Sequence, residues 1–177
     1  MIGNEGLVAV IFDDGPKTDK SEKSLSPGIT ESVTTEHRSS KTLVAVAAAV
    51  PWHGGFLEGS KAEGGWEIKA VAVHSDTRYL HRGLATQLYD SLTQRLIKHE
   101  MTRLVKMTEQ EIPSSGCVTL WIQAAESING DYWRKRGYQE VQKKTYGVGV
   151  WGCLSSFEMV ILRKDVPFKV DRSDEKN

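Results

Sequence analysis

Residues 66–90 run Trp-Glu-Ile-Lys-Ala-Val-Ala-Val, then His-Ser-Asp-Thr-Arg-Tyr-Leu-His-Arg, then Gly-Leu-Ala-Thr-Gln-Leu-Tyr: an apolar strand, a basic turn and a helix opened by glycine. The first N–H groups of a helix have no partner inside it, and the helix dipole places positive charge at the same end. Gly83, Leu84, Ala85 and Thr86 would present those N–H groups, and Arg78, His81 and Arg82 would add side-chain donors. That is chemistry for holding an anion such as a phosphate. The alternative is a solvated turn whose glycine lets the helix pack closely.

Groups able to carry a proton stand nearby. Glu67 lies six residues before Val73, which at a period of two predicts that both side chains share one face of the strand. His74 follows the strand and His53 lies in the loop before it, and either could act near neutral pH. Each also reads as an ordinary polar residue, with Glu67 a solvated strand-end carboxylate. Trp52 and Trp66 read either as walls of an acceptor pocket or as core.

The elements that must position these groups alternate along the chain. Gly6 to Phe12 and Thr42 to Val50 are short apolar runs, the second stopped by Pro51, as suits a strand buried on both faces. Residues 15–41 hold almost no large apolar residue and read as a mobile loop insertion. Trp66 to Val73 is the next strand. Leu84, Leu88, Leu92 and Leu96 then recur at helical spacing, predicting a helix over 84–99 followed by an ambiguous connector over 101–115. Val118 to Gln123 reads as a strand, Ser127 to Arg136 as a short helix stopped by Gly137, and Tyr138 to Tyr146 and Leu154 to Leu162 as an antiparallel pair. Residues 1–163 thus form one domain, and 164–177 a charged tail expected to fray.

Composition narrows the partners. The 177 residues carry 23 basic and 23 acidic side chains, so no net field draws the chain to nucleic acid or to an anionic membrane. Leu43 to Val50 is too short to span a bilayer, and the N-terminus lacks the pattern of a secretory signal. The two cysteines, Cys117 and Cys153, are too few for a disulfide framework or a zinc site and read as buried thiols of a cytoplasmic protein.

The order β-β-β-α-β-α-β-β, with the longest helix after the third strand, resembles the GNAT superfamily of acetyl-CoA-dependent N-acetyltransferases. Val71-Ala72-Val73 leading to Arg82-Gly83-Leu84-Ala85 is similar to that family's acyl-CoA signature, a strand followed by Q/R-x-x-G-x-G/A. Tyr132-Trp133-Arg134-Lys135-Arg136-Gly137-Tyr138 is similar to its later aromatic element. The resemblance covers residues 42–162 and implies an α/β (α+β) fold, a mixed and mostly antiparallel sheet flanked by helices. The family's first strand and two helices would be missing before Gly6, leaving a bare edge that favours pairing with a second copy.

The resemblance also implies roles. Val71 and Val73 would pair with the pantetheine arm of acetyl-CoA, and residues 82–86 would hold its pyrophosphate beside Arg78 and His81. The Val73 N–H would face the thioester oxygen, and Glu67 would be the base for an attacking primary amine of a small molecule or peptide. Two departures from the pattern follow. Leu80 occupies the Q/R position, with Arg78 the substitute. Trp133 stands where the family has a tyrosine that protonates the thiolate; it would line the cofactor site, and the thiolate would leave unassisted or through water, or Tyr138 or Tyr146 would supply the acid. The alternative is a degenerate member that binds acyl-CoA without catalysis.

Overall fold

In the computed structural model, residues 6–13, 41–56, 63–107 and 114–170 are described. Among them six strands form one sheet: β1 (Leu7–Asp13), β2 (Thr42–Pro51), β3 (Trp66–Val73), β4 (Ser115–Ala125), β5 (Gln139–Tyr146) and β6 (Phe157–Lys169). Their order across the sheet is β1-β2-β3-β4-β6-β5, with β1 at one edge. Every neighbouring pair is antiparallel except β3 and β4. The sheet is thus mixed and mostly antiparallel, as the sequence implies.

One helix, α1 (Leu84–Met107), covers one face. Its Leu88, Leu92 and Leu96 are buried against Ala45, Ala47 and Ala49 of β2, where the absence of bulk lets the helix lie close. Burying each leucine is worth about 1.5–3 kcal/mol. The helix runs eight residues past the predicted end at His99. Residues 100–107 contain no proline or glycine, and Met101 and Leu104 extend the apolar stripe onto the core. On the other face Trp52 stacks on Trp121, with ring centroids 4.7 Å apart and planes at 7°, over Ile161. Both Trp52 and Trp66 are core residues, 4% exposed.

Other expectations are corrected. Arg163 does not begin a frayed tail, because β6 pairs with β4 as far as Lys169, opposite Ser115. Within the run Arg163 to Lys169, Val166 and Phe168 stand two apart on one face of the strand, and both pack on the core. The short helix is a π-helical turn, Glu126–Gly130, running into α2 (Asp131–Arg134) and ending at Gly137 with φ of +84°. Cys117 is exposed on β4 rather than buried, and Cys153 is half-buried. The loop reading of 15–41 falls outside the described residues apart from Lys41.

Candidate functional site

The parallel pair is short. β3 and β4 are in register only at Trp66↔Leu120 and Glu67↔Trp121, after which the strands part. Within β3, Ile68 faces Ala49 of β2 and Ala70 faces Ala48, so Lys69 is an extra residue and forms a β-bulge. The bulge inverts the side-chain parity. Ile68, Val71 and Val73 lie opposite Ala49, Ala47 and Ala45 and pack on the α1 face, whereas Glu67 points to the other face. The expectation that Glu67 and Val73 share a face is therefore wrong, because period-two counting fails across an inserted residue.

Beyond the bulge the backbone groups of β3 sort regularly. The His74 N–H donates to the Val44 carbonyl at 2.7 Å, continuing the β2 register. In an antiparallel ladder alternate residues bond the same neighbour, and those between them point the opposite way. The N–H and C=O groups of Val71 and Val73 consequently point away from β2 and into the opening between β3 and β4. This opening is wedge-shaped, lined on one arm by main-chain donors and acceptors.

Glu67 stands at the apex of the wedge, 4% exposed. Its Oε1 accepts from Gln123 Nε2 of β4 at 2.7 Å and from Lys69 Nζ at 2.8 Å. A buried carboxylate needs such hydrogen bonds in place of those it would make to water. A strand reading that had marked Gln123 as polar among the apolar residues Leu120 to Ala125 could have identified it. The bulge at Lys69 has no signal in the sequence.

At the open end the loop 74–83 leads to α1. Gly83 has φ of +73° and its carbonyl accepts from the Gln87 N–H at 3.0 Å, so Leu84, Ala85 and Thr86 form the first turn, which contains no acidic residue. His81 is also left-handed at φ of +58°, and both it and Arg82 are exposed. Arg78 does not point at the helix start as a free cation: its Nε and Nη2 donate to Asp76 Oδ2 at 3.1 and 3.0 Å, and its guanidinium lies 5.2 Å from the Tyr79 ring centroid. This pairing holds the Asp76 carboxyl below the usual carboxylate range and raises Arg78. His74 is tied into the same loop, its Nδ1 accepting from the Asp76 N–H at 3.1 Å. Leu80 is 37% exposed.

A cation that sequence reasoning missed reaches the helix instead. Arg136, just beyond α2, donates from Nη2 to Thr86 Oγ1 at 2.7 Å, and its guanidinium lies 3.8 Å from the Tyr132 ring centroid. Arg136 thus links Tyr132 to the first turn of α1.

The aromatic residues expected for the cofactor and for the acid sit in aromatic clusters. Trp133 is 5% exposed and packs on Tyr89, Tyr132 and Tyr138. Tyr138 is 3% exposed, with its hydroxyl 3.1 Å from that of Tyr89, and burial holds its phenol well above the usual range. Both side chains pack against Tyr89 of α1. Tyr146 belongs to an aromatic cluster with Phe56, Trp151 and Phe157 at the β5–β6 hairpin.

His53 is exposed beside a cleft of about 400 Å3 at the start of β3 and β4. Charged groups lining that cleft are paired: Arg103 Nε donates to Glu100 Oε2 at 2.6 Å and Arg163 Nη1 to Glu63 Oε2 at 2.7 Å. Among the described residues no group of three or more His, Cys, Asp and Glu could hold a metal ion, and no helix is long and apolar enough to cross a membrane.

No protein-family model and no curated protein matches the chain. Solved structures are similar in backbone path. They include a ribosomal-protein-alanine N-acetyltransferase from Brucella melitensis, 15% identical, with 70% of this chain and 62% of that one covered and a TM-score of 0.45. Another is NAA60 from Arabidopsis thaliana in complex with acetyl-CoA, 11% identical, with 93% and 78% covered and a TM-score of 0.46. A third is the ribosomal-protein-S18-alanine N-acetyltransferase from Escherichia coli, 16% identical, with 75% and 66% covered and a TM-score of 0.40. The chain spans less than two thirds of the length of the Brucella protein. A likeness of this extent assigns no substrate and no residue role.

Proposed function

We propose that the wedge between β3 and β4 binds acetyl-CoA and that the protein is an N-acetyltransferase acting on a primary amine of a small molecule or peptide. The observation that carries this reading is the orientation of Val71 and Val73, whose main-chain groups face an opening that no strand fills among the described residues. An arm made of amides pairs with such an edge as a strand would. The residues fit the cofactor at the other end as well: the N–H groups of Leu84, Ala85 and Thr86, an acid-free first turn, and Arg82, His81 and Arg136 around them suit a pyrophosphate. Arg78 acts there as a structural partner of Asp76.

Acetyl-CoA supplies an electrophilic thioester carbonyl and a thiol leaving group. The protein's residues do the rest. Glu67, held by Gln123, accepts a proton from the acceptor ammonium on the face opposite α1. The N–H of Val71 lies nearer the apex than that of Val73, so Val71 is the donor placed to stabilise charge on the carbonyl oxygen, with Val73 pairing farther along the arm. No covalent enzyme intermediate is needed.

A second reading, acyl-CoA binding without turnover, is favoured by the burial of Trp133 and Tyr138, which leaves neither to serve the departing thiolate. Release of free thiol from acetyl-CoA with a panel of amines, run beside a thermal shift with acetyl-CoA alone, separates the two. Binding only to the folded chain raises the midpoint by mass action. A shift with thiol release supports the enzyme, a shift without release across the panel supports the binding module, and no shift at millimolar acetyl-CoA overturns both.

A further inference from the structure

We propose that Lys69 is itself an acceptor: acetyl-CoA bound in the wedge acetylates the Lys69 amine of the same molecule, with Glu67 taking the proton. The inference rests on the reading of the wedge given above. Three observations converge on it. Lys69 Nζ is 2.8 Å from Glu67 Oε1, so an amine of the chain already occupies the place of an acceptor amine beside the base. Lys69 is the bulge residue, without a β2 partner and two positions beyond the last β3–β4 pair at Glu67, which puts its backbone at the apex. Its side chain is 50% exposed while that of Glu67 is 5% exposed, so Lys69 reaches the buried carboxylate from the solvent side.

Direction along β3 adds to this. A ligand anchored at Gly83 to Thr86 and paired along Val73 and then Val71 ends at residue 69. An amine held there reacts as an intramolecular partner, at high effective concentration.

The chemistry balances. The Lys69 ammonium gives one proton to Glu67, its nitrogen lone pair forms the new N–C bond at the thioester carbonyl, and the C–S bond breaks with its electron pair leaving on sulfur. The second N–H proton ends on that sulfur as CoA thiol, and Glu67 returns its proton to solvent. Acetylated Lys69 has no charge, so its ion pair with Glu67 is lost and Glu67 keeps Gln123 as its partner.

The test incubates the intact chain with acetyl-CoA at neutral pH and maps acetyl groups by peptide mass, with exposed Lys98 on α1 as the internal measure of uncatalysed modification. Acetylation is expected to accumulate at Lys69 ahead of Lys98, and Glu67→Gln is expected to slow Lys69 by about 10²-fold, the lower range for a general base, without changing Lys98. A second readout needs no turnover. A brief pulse of acetic anhydride, with and without CoA, should show that CoA shields Lys69 and not Lys98. If acetyl-CoA raises the melting midpoint but Lys69 is neither acetylated faster than Lys98 nor shielded by CoA, this inference is overturned and the cofactor reading survives. If acetyl-CoA gives no shift and CoA no shielding, both fall.

Discussion

Gln123 of β4 donates to Glu67 of β3 at 2.7 Å across the point where the two strands separate. That contact places the one buried carboxylate among the described core residues at the end of the parallel pair, where main-chain groups of β3 become available. Glu67→Gln keeps the shape and removes the proton acceptor. Turnover of any amine found in the panel should fall by about 10²-fold or more near neutral pH, with the acetyl-CoA thermal shift retained. An unchanged rate would remove Glu67 as the base.

Asp76 holds Arg78 in an ion pair and adds negative charge to the loop that leads to α1. Asp76→Asn should therefore tighten CoA binding at low ionic strength, and the gain should shrink as salt screens the site. The carboxyl is held below its ordinary value, so the pair contributes at pH values above the ordinary carboxylate pKa of about 4 and is lost as pH falls through the lower folded value. The difference between wild type and variant should vanish over that acid range, as read by calorimetric titration with CoA.

Tyr138 is a buried phenol. Tyr138→Phe removes its hydrogen bond with Tyr89, which is expected to cost about 0.5–1.5 kcal/mol in urea unfolding, and to leave thiol release unchanged. Burial raises its folded pKa above the ordinary value, so its neutral form favours the fold below about pH 10 and the contribution is lost as pH rises and the unfolded phenol ionises. Wild type should lose more stability than Tyr138→Phe between neutral and strongly alkaline pH. A large loss of turnover in Tyr138→Phe would return the acid role to it.

Gly83 is left-handed at φ of +73°, and nothing lies within 4 Å of the position a Cβ would take. The penalty of a side chain there is conformational rather than steric. Gly83→Ala should cost about 1–2 kcal/mol and Gly83→Asn less, since asparagine tolerates that region. Urea midpoints for the two variants check the ranking, and equal losses would contradict it.

The sequence alone determined the element types, the turn chemistry and the place of the helix start. The apolar run Thr42 to Val50, leucines every four residues from Leu84, and glycines at 83 and 137 are local signals, and each element formed where its local signal lay. Long-range pairing overrode local reading where strands supplied the partner. Arg163 to Lys169 looks like a charged tail until β4 pairs with it, and residues 100–107 look like a connector until the core accepts Met101 and Leu104.

The site followed the same division. That Glu67, Val71, Val73 and Gly83 to Thr86 belong to one region was legible from strand, turn and helix in succession. Which way their groups point was not, because one inserted residue at Lys69 reverses side-chain parity and leaves no mark on composition or spacing. Only the tertiary structure brought Gln123 to Glu67, Asp76 to Arg78 and Arg136 to Thr86, pairs from 2 to 56 positions apart whose geometry depends on how the backbone bends between them.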